Sequence, residues 1–438
     1  MEHMQQLRQR PATGAGQFRS TKLAADEAEP TLQWTRSKDG KRSLRKSYLM
    51  VLLGIFSGLA LGLIRMGLSI YDHFSSQANY CLVFEDNFDG PLNTSLWNHE
   101  VSVGGFGNGE FEWTTSSSNN SYTEDGYLYI TPTLTSDVIG QANVIDGYTV
   151  NLTADGTCTT PESKWTKIDK KVPMQVAINS THTNCVAKSN ATLGTVIPPI
   201  QSARLNTNGT ASIRYGKVEF RIKIPKGDYL WPAVWMMPED NVYGDWPRSG
   251  EIDIFEAKGN APKFRDDNNC NAASSTLHVG FDKTTNLVNK FLKYRNLWRN
   301  WFNEEFHTFG MEWSEHGIWT WEGTPNRRIM DAKFKKPFSA LIKPQYDEHG
   351  VLIPGADPWT ISNNTNAPFD QRFFLIVNLA VGGTGGYFLH NDPIWSNAEP
   401  NAAGTFWKLR DQTWLPTWSE DKKERSLKLD YIKMWQRC

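Results

Sequence analysis

Apolar residues follow two patterns along this chain. From Ser47 to Ile64 eighteen residues carry no charge, Arg65 interrupts, and Met66 to Tyr71 continues apolar. At about 1.5 Å of helix per residue, residues 48–71 reach across a hydrocarbon layer of about 30 Å, with Arg65 near one end where it can snorkel. After Tyr80 the period changes to two. In Gly216–Pro225, Val218, Phe220, Ile222 and Ile224 share one face, and Lys217, Glu219, Arg221 and Lys223 the other. Runs at 81–86, 126–131, 307–313, 318–321, 373–380 and 426–435 behave alike, each bounded by turn residues. Helical spacing recurs only weakly, around Asn286–Trp301, where a short helix is expected. Many strands with few helices predict an all-β, two-sheet sandwich behind one membrane helix.

Charge then orients the chain. Lys38, Lys41, Arg42, Arg45 and Lys46 precede the apolar run, and residues 1–47 carry +5 against −6 for the rest. The positive-inside rule places that basic tail in the cytosol, and its poverty in apolar residues predicts disorder. Residues 48–71 become a signal anchor, 72–80 a short stalk, and 81–438 a lumenal or extracellular domain of a single-pass type II protein. A buried core helix fits the long run and basic flank poorly. Cleavage before Asn79, after Ser76-Gln77-Ala78, is the stronger rival, but a 47-residue charged lead is long for a signal peptide. Sequons at Asn93, Asn119, Asn151, Asn179, Asn190, Asn208 and Asn363 all follow the anchor. So do all five cysteines, which suits an oxidising compartment. Cys158–Cys185, close together in a loop-rich region, is the first expected pair. Cys81–Cys438, flanking the first and last strands, is the second, and Cys270 is left over.

Composition narrows the partners. A net charge of −1 excludes a strongly basic nucleic-acid binder, and 39 % hydrophobic residues exclude a polytopic membrane protein. Eighteen tryptophans point to flat aromatic surfaces, for which sugars are common ligands. The domain is long, and the excess is expected in a loop-like insert at about 132–200 and a smaller one at 340–366.

The sharpest chemistry is Trp246-Pro-Arg-Ser-Gly-Glu251-Ile-Asp253-Ile-Phe-Glu256. On a period-two strand Glu251 and Asp253 share a face and Glu256 points away. One bulge near Ile254–Phe255 returns Glu256 to the same side. Two facing carboxylates in one cleft are what glycosidic bond cleavage requires, and a separation of about 5–5.5 Å means retention through a covalent intermediate. A solvated acidic edge and a Ca²⁺ loop are the competing readings. Ile252, Ile254 and Phe255 are too apolar for the first, and the segment has too few Gly, Asn and Asp for the second. Gly382-Gly-Thr-Gly-Gly386 lacks the lysine and helix of a phosphate loop and reads as a turn.

This segment resembles the signature of glycoside hydrolase family 16 in its bulged, laminarinase-like form. Gly107-Asn-Gly-Glu110, Ser202-Ala-Arg204-Leu205, Leu230-Trp231-Pro-Ala-Val-Trp235, Thr276-Leu-His278 and Phe306–Trp313 match in order, so that the resemblance covers roughly 80–438. It implies a β-jelly-roll sandwich of the concanavalin A-like type with a concave cleft. It makes Glu251 the nucleophile, Asp253 its assistant and Glu256 the acid/base. Trp246 would stack the sugar at the cleavage point, with Trp235 and Trp231 along the cleft. Asn108, Glu110 and Arg204 would bond sugar hydroxyls, and His278 would sit beside the acid/base. Trp231 serves equally as core, Arg204 as a salt-bridged strand residue and His278 as a structural histidine. No cofactor is required. The family often carries a structural cation, for which Asp430 is the nominee.

The expected activity is that of a membrane-anchored, monomeric retaining endo-β-glucanase. It would act on β-1,3- or mixed β-1,3/1,4-glucan in remodelling of the organism's own cell wall, and the anchored form looks fungal. Two alternatives stand beside it: a cell-wall glucan transglycosylase on the same residues, and a non-catalytic β-glucan receptor.

Overall fold

The computed structural model describes residues 37–75, 79–160, 183–262, 269–342, 357–362, 364–391 and 393–438. Two compact units result, Met1–Gln77 and Ala78–Cys438. In the first, a helix runs Lys38–Ser75. Ser37 starts it: its hydroxyl accepts from Gly40 N–H at 2.9 Å, satisfying one of the orphan donors of the first turn. Lys38–Leu68 is long and apolar enough to cross a membrane, by length and composition. Helix therefore begins before the apolar run and continues through residues 72–75, where a stalk is expected. The basic tail up to residue 36 lies outside the described residues.

The second unit is a β-jelly-roll sandwich. One sheet orders its strands as Arg328–Lys333, Gly317–Glu322, His307–Ser314, Gly216–Lys223, Leu427–Arg437, Tyr127–Ile130 and Ser121–Glu124, with Tyr80–Asp86 also on Leu427–Arg437. The other orders Lys293–Asn296, Ala272–His278, Glu251–Ala257, Leu230–Pro238, Phe373–Val381, Arg204–Asn206 and Asn98–His99, with Ser212–Ile213 also on Phe373–Val381. The alternation at 216–223 does what its period predicts. Val218, Phe220 and Ile222 are buried between the sheets, while Lys217 pairs with Glu219 and Lys223 with Glu424 on the outer face. Across the core Phe255 from the acid-bearing strand meets Phe309 at 4.6 Å between ring centroids. Trp313 is a core residue, whereas Trp319 and Trp435 carry Arg328 and Lys217 over their rings on the outer face, where Trp321 is buried beside Lys217.

Both expected disulfides are present. Cys81–Cys438 ties the strand Tyr80–Asp86 to the chain's last strand, and Cys158–Cys185 lies in the insert. Cys270 is free and buried. The insert is not one long loop. Thr149–Asn151 pairs with Val186–Lys188, and Val150, Leu152, Ala187 and Ile197 bury a small core of their own with Val101 and Val103. Around 286–301 the expected helix shrinks to Val288–Phe291, and Lys293–Asn296 is a strand. Pairing with Ala272–Ser275 at the open edge of the sheet outweighs the weak helical spacing. Among the described sequons Asn93, Asn119, Asn151 and Asn208 are exposed and Asn190 is half-buried; Asn179 and Asn363 lie outside the described residues.

Candidate active site

The strand Glu251–Ala257 is bulged. Trp235 faces Asp253 and Val234 faces Phe255, so one extra residue, Ile254, sits opposite the neighbouring strand. The other neighbour is offset by the same residue, with Asp253 opposite Thr276 and Glu256 opposite Ser274. Ile252, Ile254 and Phe255 are buried. The bulge turns Glu256 onto the face that carries Glu251 and Asp253.

The turn that delivers Glu251 is pinned from several directions. Gly250 has φ +83°, and a Cβ there would meet the Phe369 ring at 2.9 Å, so both conformation and space demand glycine. Trp359 Nε1 donates to Arg248 O at 2.7 Å and Gln371 Nε2 to Ser249 O at 3.0 Å. Part of the smaller insert thus braces the turn before the first acid.

Each acid has its own surroundings. Glu251 Oε2 accepts from Trp246 Nε1. Glu256 Oε1 accepts from Trp231 Nε1 at 3.0 Å, which settles Trp231 on the cleft side. Asp253 Oδ2 lies 3.2 Å from His278 Nε2. Burial drives the Glu256 carboxyl up to about 7 and Glu251 adds to it, while His278, the Trp231 bond and Lys258 pull the other way. Burial together with Glu251 and Glu256 holds the Asp253 carboxyl well above the usual range. For His278, burial opposes a positive charge, but the three facing acids outweigh it and raise the pKa to about 9. Asn286 meets the other ring nitrogen. Its Oδ1 accepts from Val279 N–H at 3.2 Å, which turns its Nδ2 toward His278 Nδ1 at 2.8 Å. In the neutral ring the proton belongs on Nε2, toward Asp253, since one on Nδ1 would face that N–H. Glu251, Asp253 and His278 each place an atom within 4.8 Å of the others, a spacing that a metal ion could also use.

Arg204, Asn108 and Glu110 gather on one flank of the acids. Arg204 pairs with Glu100 and lies over two rings, 4.1 Å from the Phe106 centroid and 4.7 Å from that of Trp235. Trp235 Nε1 donates to Asn378 Oδ1 at 2.7 Å. Asn108 Nδ2 donates to Glu110 Oε1 at 3.0 Å. The Gly-rich turn seats this loop: Thr384 N–H donates to Asn108 O at 2.9 Å, and any Cβ on Gly382 would strike Phe111. Asp430 does not fit a cation site, because its Oδ2 accepts from Arg221 Nη1 and a guanidinium stands where the ion would.

Sequence reasoning missed several neighbours. Tyr387 stacks on Trp231 at 3.9 Å and 7° between planes. Lys258 Nζ lies 4.9 Å from the Tyr387 ring and donates to Asn391 Oδ1 at 2.5 Å. Lys258 sits only two positions beyond Glu256, and that spacing was the available signal. Tyr387 and Asn286 come from loops whose sequence carries no such mark.

Residues 172–353 match the profile of glycosyl hydrolases family 16. The Beta-1,3-glucan-binding protein of Penaeus monodon is 33% identical over 367 residues, 81% of this chain and 90% of that protein. This chain belongs to glycosyl hydrolases family 16. A second relative within reach of the family is the Glucan endo-1,3-beta-glucosidase A1 of Niallia circulans, 30% identical over 311 residues. That match takes in 69% of this chain but only 34% of the longer enzyme. Among solved structures, the laminarinase from Rhodothermus marinus aligns over 83% of this chain and 99% of its own, at 20% identity and a TM-score of 0.47. The family membership rests on the sequence matches. Its named relatives include both a glucan-binding protein and a glucanase.

Proposed function

We propose that this family 16 chain is a retaining endo-β-glucanase acting on β-1,3- or mixed β-1,3/1,4-glucan. The observation that carries the reading is the unequal treatment of two acids on one bulged strand. Burial holds Glu256 protonated up to about pH 7, while Glu251 accepts the Trp246 N–H on the same face. One acid to give a proton and one carboxylate to attack are the two parts of the reaction.

Glu251 attacks the anomeric carbon and the glycosidic C–O bond breaks. Glu256 gives its proton to the departing oxygen. Water then attacks the glycosyl–Glu251 ester, Glu256 takes that water's proton, and Glu251 leaves as a carboxylate. Asp253, held neutral between them, keeps a further negative charge away from the nucleophile. Trp246 and Trp235 supply sugar-stacking surface, Trp231 holds Glu256 through its N–H, and Arg204, Asn108 and Glu110 bond hydroxyls. The Lys38–Leu68 helix and its basic flank support a tether with the domain on the far side of the membrane, where wall glucan is the substrate.

The Penaeus relative, named for glucan binding, favours a second reading in which the cleft binds glucan without cleaving it. Product stereochemistry separates the two. Proton NMR during early turnover of a β-1,3-glucan oligosaccharide should give β-anomeric reducing ends first. Initial α-anomers would overturn the retaining mechanism, and no new reducing ends would favour the binder.

A further inference from the structure

The register of the site-bearing sheet lines up one row of residues across its strands. Tyr294 faces Ser274, Ser274 faces Glu256, Glu256 faces Ala233, Ala233 faces Asn378, and Asn378 faces Arg204. Directly opposed residues of antiparallel strands point to the same side. Tyr294 therefore stands on the cleft face, two strand spacings, roughly 9–10 Å, from Glu256. Arg204 stands on the opposite flank. Among the rings around Glu256, Trp231 and Tyr387 cover one another, while Tyr294 is 47% exposed. Its hydroxyl also feels the Glu256 charge, which with burial raises its pKa.

Resting on the glucanase reading above, we propose that Tyr294 is the stacking platform for the sugar on the proton-donating side of the acids, first as leaving group and then as acceptor. The Arg204 flank offers ion-paired, stacked and amide groups that can retain the glycosyl unit through the covalent step. The edge strand offers one open aromatic face, which suits a sugar that must arrive and depart. With a sugar seated there, its hydroxyl oxygen attacks the glycosyl–Glu251 ester in place of water. A new C1–O bond forms, the C1–Glu251 bond breaks, and the hydroxyl proton passes to Glu256. Tyr294 thus sets the balance between hydrolysis and chain transfer.

The test uses the detergent-solubilised full chain with a β-1,3-glucan oligosaccharide bearing a nitrophenyl leaving group, and a β-1,3-linked disaccharide as acceptor. Nitrophenol counts glycosylation events, and mass spectrometry counts lengthened against hydrolysed products. Tyr294→Ala should lower the ratio of transfer to hydrolysis at fixed acceptor about tenfold, and Tyr294→Trp should restore it. An unchanged ratio would overturn the proposal, whether or not nitrophenol release falls. If the parent chain releases no nitrophenol, the glucanase reading fails by itself. Calorimetric titration of Glu251→Gln and of Glu251→Gln with Tyr294→Ala against a longer oligosaccharide still decides the subsite: about tenfold weaker binding supports it, and equal binding removes it.

Discussion

Two glutamates beside opposite sheets meet opposite fates. Glu424, beside the outer sheet, lies 3.1 Å from Lys223, 2.8 Å from Lys226 and 2.9 Å from Lys428. Burial works to raise its pKa, but the hydrogen bonds from these lysines overcome that and hold it at about 2. Glu256 receives one neutral N–H, from Trp231, and shares its face with Glu251 and Asp253; burial wins and its pKa reaches about 7. The same side chain is a structural anchor in one place and a proton donor in the other. The difference lies in whether cations hydrogen-bond the carboxylate, as three lysines do at Glu424, or act on it without a hydrogen bond, as His278 and Lys258 do at Glu256.

The largest test of this comparison is catalytic. Glu256→Gln should lower turnover of an unactivated glucan about 10²–10⁴-fold while leaving oligosaccharide affinity near its original value, measured by reducing-end release and calorimetry. Glu424→Gln should leave turnover within about twofold. A deep loss in the second variant would break the division between the two glutamates.

Stability should move in opposite directions. Glu424, with its lowered pKa, contributes stability that is present above its unfolded value of 4.5 and is lost as pH falls through about 2. Glu256, with its raised pKa, contributes stability that is present below 4.5 and is lost as pH rises through about 7. At pH 8, Glu256→Gln should therefore stabilise the domain by about 1–3 kcal/mol, as thermal unfolding of the full chain would reveal. Glu424→Gln should destabilise it by about 1 kcal/mol or less, since solvent screens its lysines. Equal signs at pH 8 would contradict the account.

The smallest effect sharpens the site itself. Lys258 is a buried cation beside Glu256, and burial lowers its own pKa to about 8. Glu256 must be protonated to act, so kcat/KM should fall as pH rises through about 7. Lys258→Met removes a charge that favours the carboxylate, raising the Glu256 pKa and moving this alkaline limb upward by about half a unit to one unit. Lys258→Arg should keep the limb in place. A limb that stays fixed in Lys258→Met would separate Lys258 from the acid.

The acids were legible in the sequence because their spacing admits one solution. Three carboxylates among Ile252, Ile254 and Phe255 must either face the core or bulge, and the strand bulges at Ile254. The alternation at 216–223 and Cys158–Cys185, 27 residues apart, were legible as local patterns, whereas Cys81–Cys438, 357 residues apart, followed from the first and last strands being neighbours. The edge strand Lys293–Asn296 was not. Leu287, Phe291 and Leu292 hint at a helix, and only the free edge of Ala272–His278 makes strand the better state. The insert's hairpin, Thr149–Asn151 with Val186–Lys188, was hidden because each strand is too short to display a period. Asp430 was nominated without its partner in view, and Arg221 is reached only across the neighbouring strand. Asn286 and Tyr387 gain their meaning from side chains that tertiary packing brings to them.

The most direct test of the central claim compares the full chain with Glu251→Gln on a borohydride-reduced β-1,3-glucan oligosaccharide, with products weighed by mass spectrometry. The account predicts fragments shorter than the substrate from the parent chain, accompanied by longer products as acceptor accumulates, and neither from Glu251→Gln. Intact substrate with both proteins, each still binding it, would contradict catalysis and leave a glucan-binding cleft.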